Sequence, residues 1–347
     1  MKLKRTRYAS AAALTAFILM QINADAFEPT QKTEDIIESI GVCTHWDYPN
    51  SPYGFAYSEA KNRLEEVGVR YIRDRFTIRT VELFEDLGVK STVTMLPDMD
   101  SYLNKIRNNP EAVVAVEGLN ETDEDPNSGF PQATRIAQAD LYNAIKLNLS
   151  THHLPVIAPS IAYRLNNNIL APLDYFDYSV MHSYASGGLP SSVDPFMESA
   201  NKVLGSNVYL KPVVATECGY HTAFGRVESQ PPGVPESVHA KYILRLLCEY
   251  FNRGITRTHL YEFIDSYEHS RNGNVSEANY GLLRYDLSRK PAFNALRNFI
   301  TLLEDENSNF RPQALDVNIQ SDSPSIHYTI LQKSVSVRAS TAFLDSL

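Results

Sequence analysis

From residue 38 onward, short apolar runs alternate with longer amphipathic ones. Eight runs are rich in Val, Ile, Thr, Tyr and Phe, the composition that suits strands. They are 38–45 (ESIGVCTH), 69–76 (VRYIRDRF), 89–96 (VKSTVTML), 112–119 (AVVAVEGL), 155–161 (PVIAPSI), 176–184 (FDYSVMHSY), 212–220 (PVVATECGY) and 257–264 (RTHLYEFI). Several are apolar on both faces, as expected of parallel strands covered on both sides. Helical patterns lie between them. Ser58 is placed to cap EAKNRLEEV before Gly68, and Thr80 to cap VELFEDL before Gly88. SVDPFMESANKVL stops at Gly205, and ESVHAKYILRLLCEYFNR stops at Gly254. Glycine just past a helix accepts the left-handed conformation that ends it. KPAFNALRNFITLLED supplies a final helix over 290–305, and only NNNIL (166–170) is available as the fifth.

Eight β–α units predict an α/β chain folded as a (β/α)8 TIM barrel over residues 27–305. An open doubly wound sheet is the alternative. It usually carries a glycine-rich phosphate loop, and neither G-x-G-x-x-G nor G-x-x-x-x-G-K occurs. Past residue 306, ALDVNIQ and IHYTILQKSVSVRA alternate like exposed antiparallel strands. Residues 306–347 are therefore expected to form a small C-terminal β appendage. It has too few strands to stand alone, so it leans on the barrel or belongs to a truncated chain.

Residues 1–26 follow a different pattern. Lys2, Lys4, Arg5 and Arg7 precede the apolar run 9–22, and Ala24-Asp25-Ala26 is a small-x-small site. This is the layout of a cleaved signal peptide. The run is short of the roughly 20 residues that span a bilayer. A secreted or periplasmic location is expected, with no membrane association after cleavage. Without Lys2, Lys4, Arg5, Arg7 and Asp25, the 32 Lys and Arg against 41 Asp and Glu become 28 against 40, a net charge of −12. Such a surface argues against nucleic acid and anionic membranes as partners. The three cysteines, Cys43, Cys218 and Cys248, cannot form a complete disulfide framework and read as buried thiols. C-x-x-C, H-E-x-x-H and H-x-H are absent, so no metal or other cofactor is expected. A monomer is expected.

In a barrel, chemistry gathers at the C-terminal ends of the strands. There the sequence places His45 and Trp46 on strand one, Arg73, Asp74 and Arg75 on strand two, Asn120 and Glu121 on strand four, and His182 and Tyr184 on strand six. Strand seven adds Glu217, Tyr220 and His221; strand eight adds Tyr261, Glu262 and Asp265. Val213, Ala215 and Glu217 share one face by the period of two, so Glu217 can point into the mouth. Glu121 and Glu217 would then face each other across a cleft. Glycoside hydrolysis needs such a pair, one carboxyl as acid and one as nucleophile or base. Other acids near Glu121 would raise its pKa. Trp46, Tyr48, Tyr184, Tyr220 and Tyr261 offer flat apolar faces with polar edges. Glu262 reads as structural, and Asp123, Glu124 and Asp125 read as a solvated loop. The long connections 218–235 and 265–288 are expected to wall the cleft.

Asn120-Glu121 on the fourth strand and ATECGYH on the seventh resemble the clan A retaining glycoside hydrolases, such as families 5 and 39. The resemblance spans roughly residues 38–305. It implies Glu121 as acid/base and Glu217 as nucleophile. It also implies Asn120 as the group that holds the sugar 2-hydroxyl and Arg73 as the group that orients Glu217, with Arg75 as the other strand-two candidate. His182 or Tyr184 would complete the hydrogen bonding. The implied substrate is a poly- or oligosaccharide whose O-glycosidic bonds are cleaved by double displacement. The rival readings are a carbohydrate-binding barrel without catalysis and a metal-dependent barrel hydrolase.

Overall fold

The computed structural model describes residues 27–344 except 97, 206–209, 226–230, 269–275, 308, 317–325 and 335–336. The predicted signal peptide lies outside the described residues. Eight parallel strands form the barrel: β1 Ile40–Cys43, β2 Tyr71–Asp74, β3 Lys90–Thr94, β4 Val113–Glu117, β5 Val156–Ile157, β6 Ser179–Ser183, β7 Val213–Cys218 and β8 Arg257–Leu260. Each pairs in parallel with its neighbour, and β8 returns to β1. Between β5 and β6 closure is a single bridge, Ile157 to Tyr178. The strands follow the eight predicted runs but are shorter, because each chain leaves the ladder at the mouth.

Eight helices follow the strands: α1 Tyr57–Val67, α2 Ile78–Leu87, α3 Met99–Asn108, α4 Gln132–Lys146, α5 Asn167–Leu170, α6 Asp194–Lys202, α7 Glu236–Asn252 and α8 Pro291–Leu303. The weak fifth pattern is indeed a helix of only 4 residues. Gly68 (φ 78°) and Gly88 (φ 71°) end α1 and α2 in the left-handed conformation. The predicted caps differ. Thr77, not Thr80, caps α2: its hydroxyl accepts the Arg79 N–H at 3.1 Å, and Thr80 returns its own hydroxyl to the Thr77 N–H at 3.0 Å. A helical turn at Pro52–Phe55 runs into α1, so Ala56 occupies the cap position and Ser58 lies inside the helix.

Apolar faces of the helices and strands bury Ile72, Leu83, Phe263, Phe293 and Leu296 almost completely. Inside the barrel, Gly41 leaves room for the buried His259 imidazole. A Cβ at Gly41 would lie 2.5 Å from the ring. All three cysteines are buried and unpaired. Among the described residues no helix is long and apolar enough to cross a membrane.

Ile326–Lys333 pairs antiparallel with Val337–Leu344 and parallel with Gln31–Lys32, while Leu315–Asp316 pairs antiparallel with Phe27–Glu28. These small sheets join residues from both flanks of the barrel. The first packs on the C-terminal end of α7, where His327 Nδ1 lies 2.5 Å from Glu249 Oε1 and Asn252 Nδ2 donates to Tyr328 O at 2.9 Å. That end faces away from the mouth, since a helix of a β–α unit starts at the mouth and returns from it.

Candidate active site

The mouth holds a cavity of about 590 Å³. At its floor, Arg73, the last residue but one of β2, spreads its guanidinium over three acceptors. Nε and Nη2 reach Glu117 at 2.6 and 3.1 Å, Nη1 reaches Glu217 Oε1 at 2.5 Å, and Nη2 reaches Asn120 Oδ1 at 2.6 Å. A planar fork of fixed donors can satisfy this arrangement and a lysine cannot. The other Glu217 oxygen accepts from Tyr184 Oη at 2.7 Å. Both oxygens of Glu217 are thus oriented by groups on other strands.

His182 ties the two candidate carboxylates together. Its Nδ1 lies 2.5 Å from Glu121 Oε1 and 3.7 Å from Glu217 Oε2, and its Nε2 lies 3.0 Å from Thr216 Oγ1. Thr216 in turn donates to Glu117 Oε1 at 2.8 Å, so Nε2 is left as the donor to Thr216. Both ring nitrogens face acceptors, the arrangement of an imidazolium. Burial pulls the His182 pKa down, but Glu217, Glu117 and Glu121 outweigh it and push it up to about 10. For Glu117, burial raises the pKa; Arg73 and His182 overcome this and hold it down to about 2. Glu217 is likewise held below the usual range, burial being outweighed by His182 and Arg73.

Ligand atoms of Glu121, His182 and Glu217 all lie within 4.8 Å of one another. Glu121 adopts φ 46°, left-handed for a residue with a side chain, a conformation that costs about 1–3 kcal/mol and persists only when the surroundings fix it. Its N–H donates to Ser160 O at 3.1 Å, and the Ser160 hydroxyl reaches Asn120 Oδ1, also at 3.1 Å. Three such ligands could in principle meet a cation. Arg73 and Tyr184 already occupy the two oxygens of Glu217, however, and His182 Nδ1 is turned to Glu121.

The structure therefore brings Glu121, Glu217, Asn120, Arg73, His45, Tyr184 and Tyr261 to one cavity, with His182 directly behind the carboxylates. Of the two strand-two arginines, Arg73 contacts Glu217, while Arg75 pairs with Asp47 at 2.9 Å. Asp74 does not pair with Arg73. It accepts from Thr44 Oγ1 and the Trp46 N–H, each at 2.8 Å. His45 stacks on Tyr48 with centroids 4.6 Å apart and lies 3.2 Å from the buried Glu262.

Two predicted residues lie elsewhere. Trp46 is buried edge-to-face against Tyr53 and Tyr57, outside the cavity wall, because its backbone is pulled inward by Asp74. Tyr220 packs on Tyr242, and its hydroxyl donates to Gly188 O at 3.0 Å. Of the two long connections, 265–288 reaches the cavity through Glu277 and Tyr280, whereas no described residue of 218–235 does so. Burial pushes Glu277 up to about 7, aided by Glu262, against the Tyr261 hydroxyl that donates to it at 3.1 Å. Asp123 is not a solvated loop acid, since it accepts from Ala162 N, Tyr163 N and Asn166 Nδ2, each at 3.0 Å.

Glu117, Thr216, Glu277 and Tyr280 were not among the residues expected at the site. Glu117 carried a readable signal. It is the one ionisable residue in an otherwise apolar strand, so its burial requires a cation as partner.

No family model matches the chain. No curated protein matches it either. Solved structures do. A family 39 glycoside hydrolase from Bacteroides cellulosilyticus aligns at TM-score 0.60 and 15% identity, over 92% of this chain and 72% of that one. A family 17 β-1,3-glucanosyltransferase from Rhizomucor miehei aligns at 0.54 and 20%, over 74% and 97%. A family 2 β-galacturonidase from Eisenbergiella tayi aligns at 0.53 and 17%, over 76% of this chain and 51% of that one, so the chain spans about half that enzyme. At these identities the likeness establishes a shared fold, the (β/α)8 TIM barrel.

Proposed function

We propose that this protein is a retaining glycosidase acting on an oligo- or polysaccharide. One observation carries the reading. Carboxylate oxygens of Glu121 and Glu217 lie within 4.8 Å of each other, in keeping with the roughly 5–5.5 Å of retaining enzymes and not the roughly 6.5–9.5 Å that leaves room for a water. In the first step Glu217 bonds to the anomeric carbon as the glycosidic C–O bond breaks. Glu121 gives a proton to the departing oxygen. In the second step Glu121 takes a proton from water, the water oxygen bonds to the anomeric carbon, and Glu217 leaves.

The surroundings support this division of labour. Arg73 and Tyr184 hold Glu217 as an oriented anion. His182 Nδ1 lies 2.5 Å from Glu121 Oε1, within reach for a proton shared between them to be passed on by Glu121. Asn120, fixed by Arg73 and Ser160, faces the cavity where a sugar hydroxyl would lie. The basic head and apolar run of residues 1–26 support export to a secreted or periplasmic location.

Glu121→Ala and Glu217→Ala are each expected to abolish release of reducing sugar from a panel of polysaccharides. Full activity in either variant would overturn the assignment.

A further inference from the structure

We infer that Tyr163 is the platform on which the leaving-group sugar stacks, and that Asp123 is its positioning residue. The inference rests on the glycosidase reading. Acid catalysis fixes where the leaving group goes, because the departing oxygen must sit against Glu121. The two sides of Glu121 differ. Towards β6–β8, Tyr184, Tyr261 and Tyr280 form an edge-to-face corner with centroids 5.3–6.4 Å apart. Tyr184 there binds Glu217, so the ring that becomes bonded to Glu217 belongs on that side.

Towards β5 the wall is Ala162 and Tyr163. Tyr163 keeps 59% of its surface exposed and, unlike the exposed Phe55, Tyr175 and Phe224, it lines the cavity. Its backbone is nevertheless fixed. Asp123, two residues after Glu121, accepts the N–H groups of Ala162 and Tyr163 and the side-chain amide of Asn166, while the Glu121 N–H binds Ser160 O. Hydrogen bonds thus tie the strand-four and strand-five loops together, with the acid and the exposed ring on the same support. A rigid aromatic face beside a proton donor suits a sugar ring bearing the departing oxygen.

Matched substrates test this. β-D-Glucosyl fluoride and β-D-xylosyl fluoride lose an atom with no ring, whereas cellobiose, laminaribiose and xylobiose lose a sugar. Tyr163→Ala should lower kcat/KM about tenfold more on the disaccharide than on the fluoride of the same sugar. Asp123→Ala should show the same split, Asp123→Asn should recover part of it, and Tyr163→Ala/Asp123→Ala should lose less than the two single losses combined. Equal losses on both substrate types, or no loss, would overturn the inference, as would a wild-type enzyme that cleaves the fluorides but none of the disaccharides. Wild type inert on every fluoride and disaccharide would contradict the glycosidase reading itself, and this inference would fall with it.

Discussion

Arg73 and Glu217 meet at 2.5 Å across the barrel floor, one from β2 and one from β7. The same guanidinium also binds Glu117 and Asn120, so one side chain orients the proposed nucleophile and the residue beside the proposed acid. Arg73→Lys keeps the charge and loses the fork. Its kcat is expected to fall about 10²-fold, the scale of losing one preorganised donor. Unfolding free energy should fall by roughly 3 kcal/mol, because Glu117 is left short of a partner. Steady-state kinetics and urea denaturation check the two effects separately.

Glu117 makes no contact that the proposed chemistry requires, yet it anchors Arg73 and Thr216. Its folded pKa is depressed to about 2, against about 4.3 in an unfolded chain. Its contribution to stability is present above pH 4.3 and is lost as pH falls through 2. Glu117→Gln should therefore be about 3 kcal/mol less stable than wild type at pH 6, with the gap closing towards pH 2. Denaturant unfolding at a series of pH values measures it. A gap that stays constant down to pH 2 would contradict the assignment.

His182 has the opposite sign. Its pKa is raised to about 10 in the fold, against about 6.5 unfolded. The stability it confers is fully present below pH 6.5 and is lost as pH rises through 10. Wild type should lose on the order of 2–4 kcal/mol more than His182→Gln between pH 6.5 and 10. The same variant should cut kcat on disaccharides more than on glycosyl fluorides, since fluoride departs without a proton from Glu121.

The barrel was legible because its signals are local: apolar runs of strand length, helical periodicity and glycines at helix ends. Asn120, Glu121 and Glu217 were legible because strand order fixes which strand ends carry them. The period of two does not place Glu217, since a register shift between Ala215 and Glu217 is what turns it into the mouth. What failed depends on partners distant in sequence. Trp46 and Tyr220 sit at strand ends like Tyr184 and Tyr261, but Asp74 and Gly188 draw them away from the cavity. Asp123 looks like any loop acid until the 162–166 turn arrives beneath it. Glu277 and Tyr280 lie far along a connection with no periodicity to aim them. Residues 27–32 gave no hint of pairing with strands some 300 residues later.

The central claim is that Glu217 becomes bonded to the substrate. The enzyme should be incubated with 2,4-dinitrophenyl 2-deoxy-2-fluoro-β-D-glucoside and the matching xyloside, then examined by intact-mass and peptide-mapping mass spectrometry. The account predicts a mass gain of one fluorosugar, located on Glu217 and absent from Glu217→Ala. A label on any other residue, or burst-free turnover with no label at all, would contradict it.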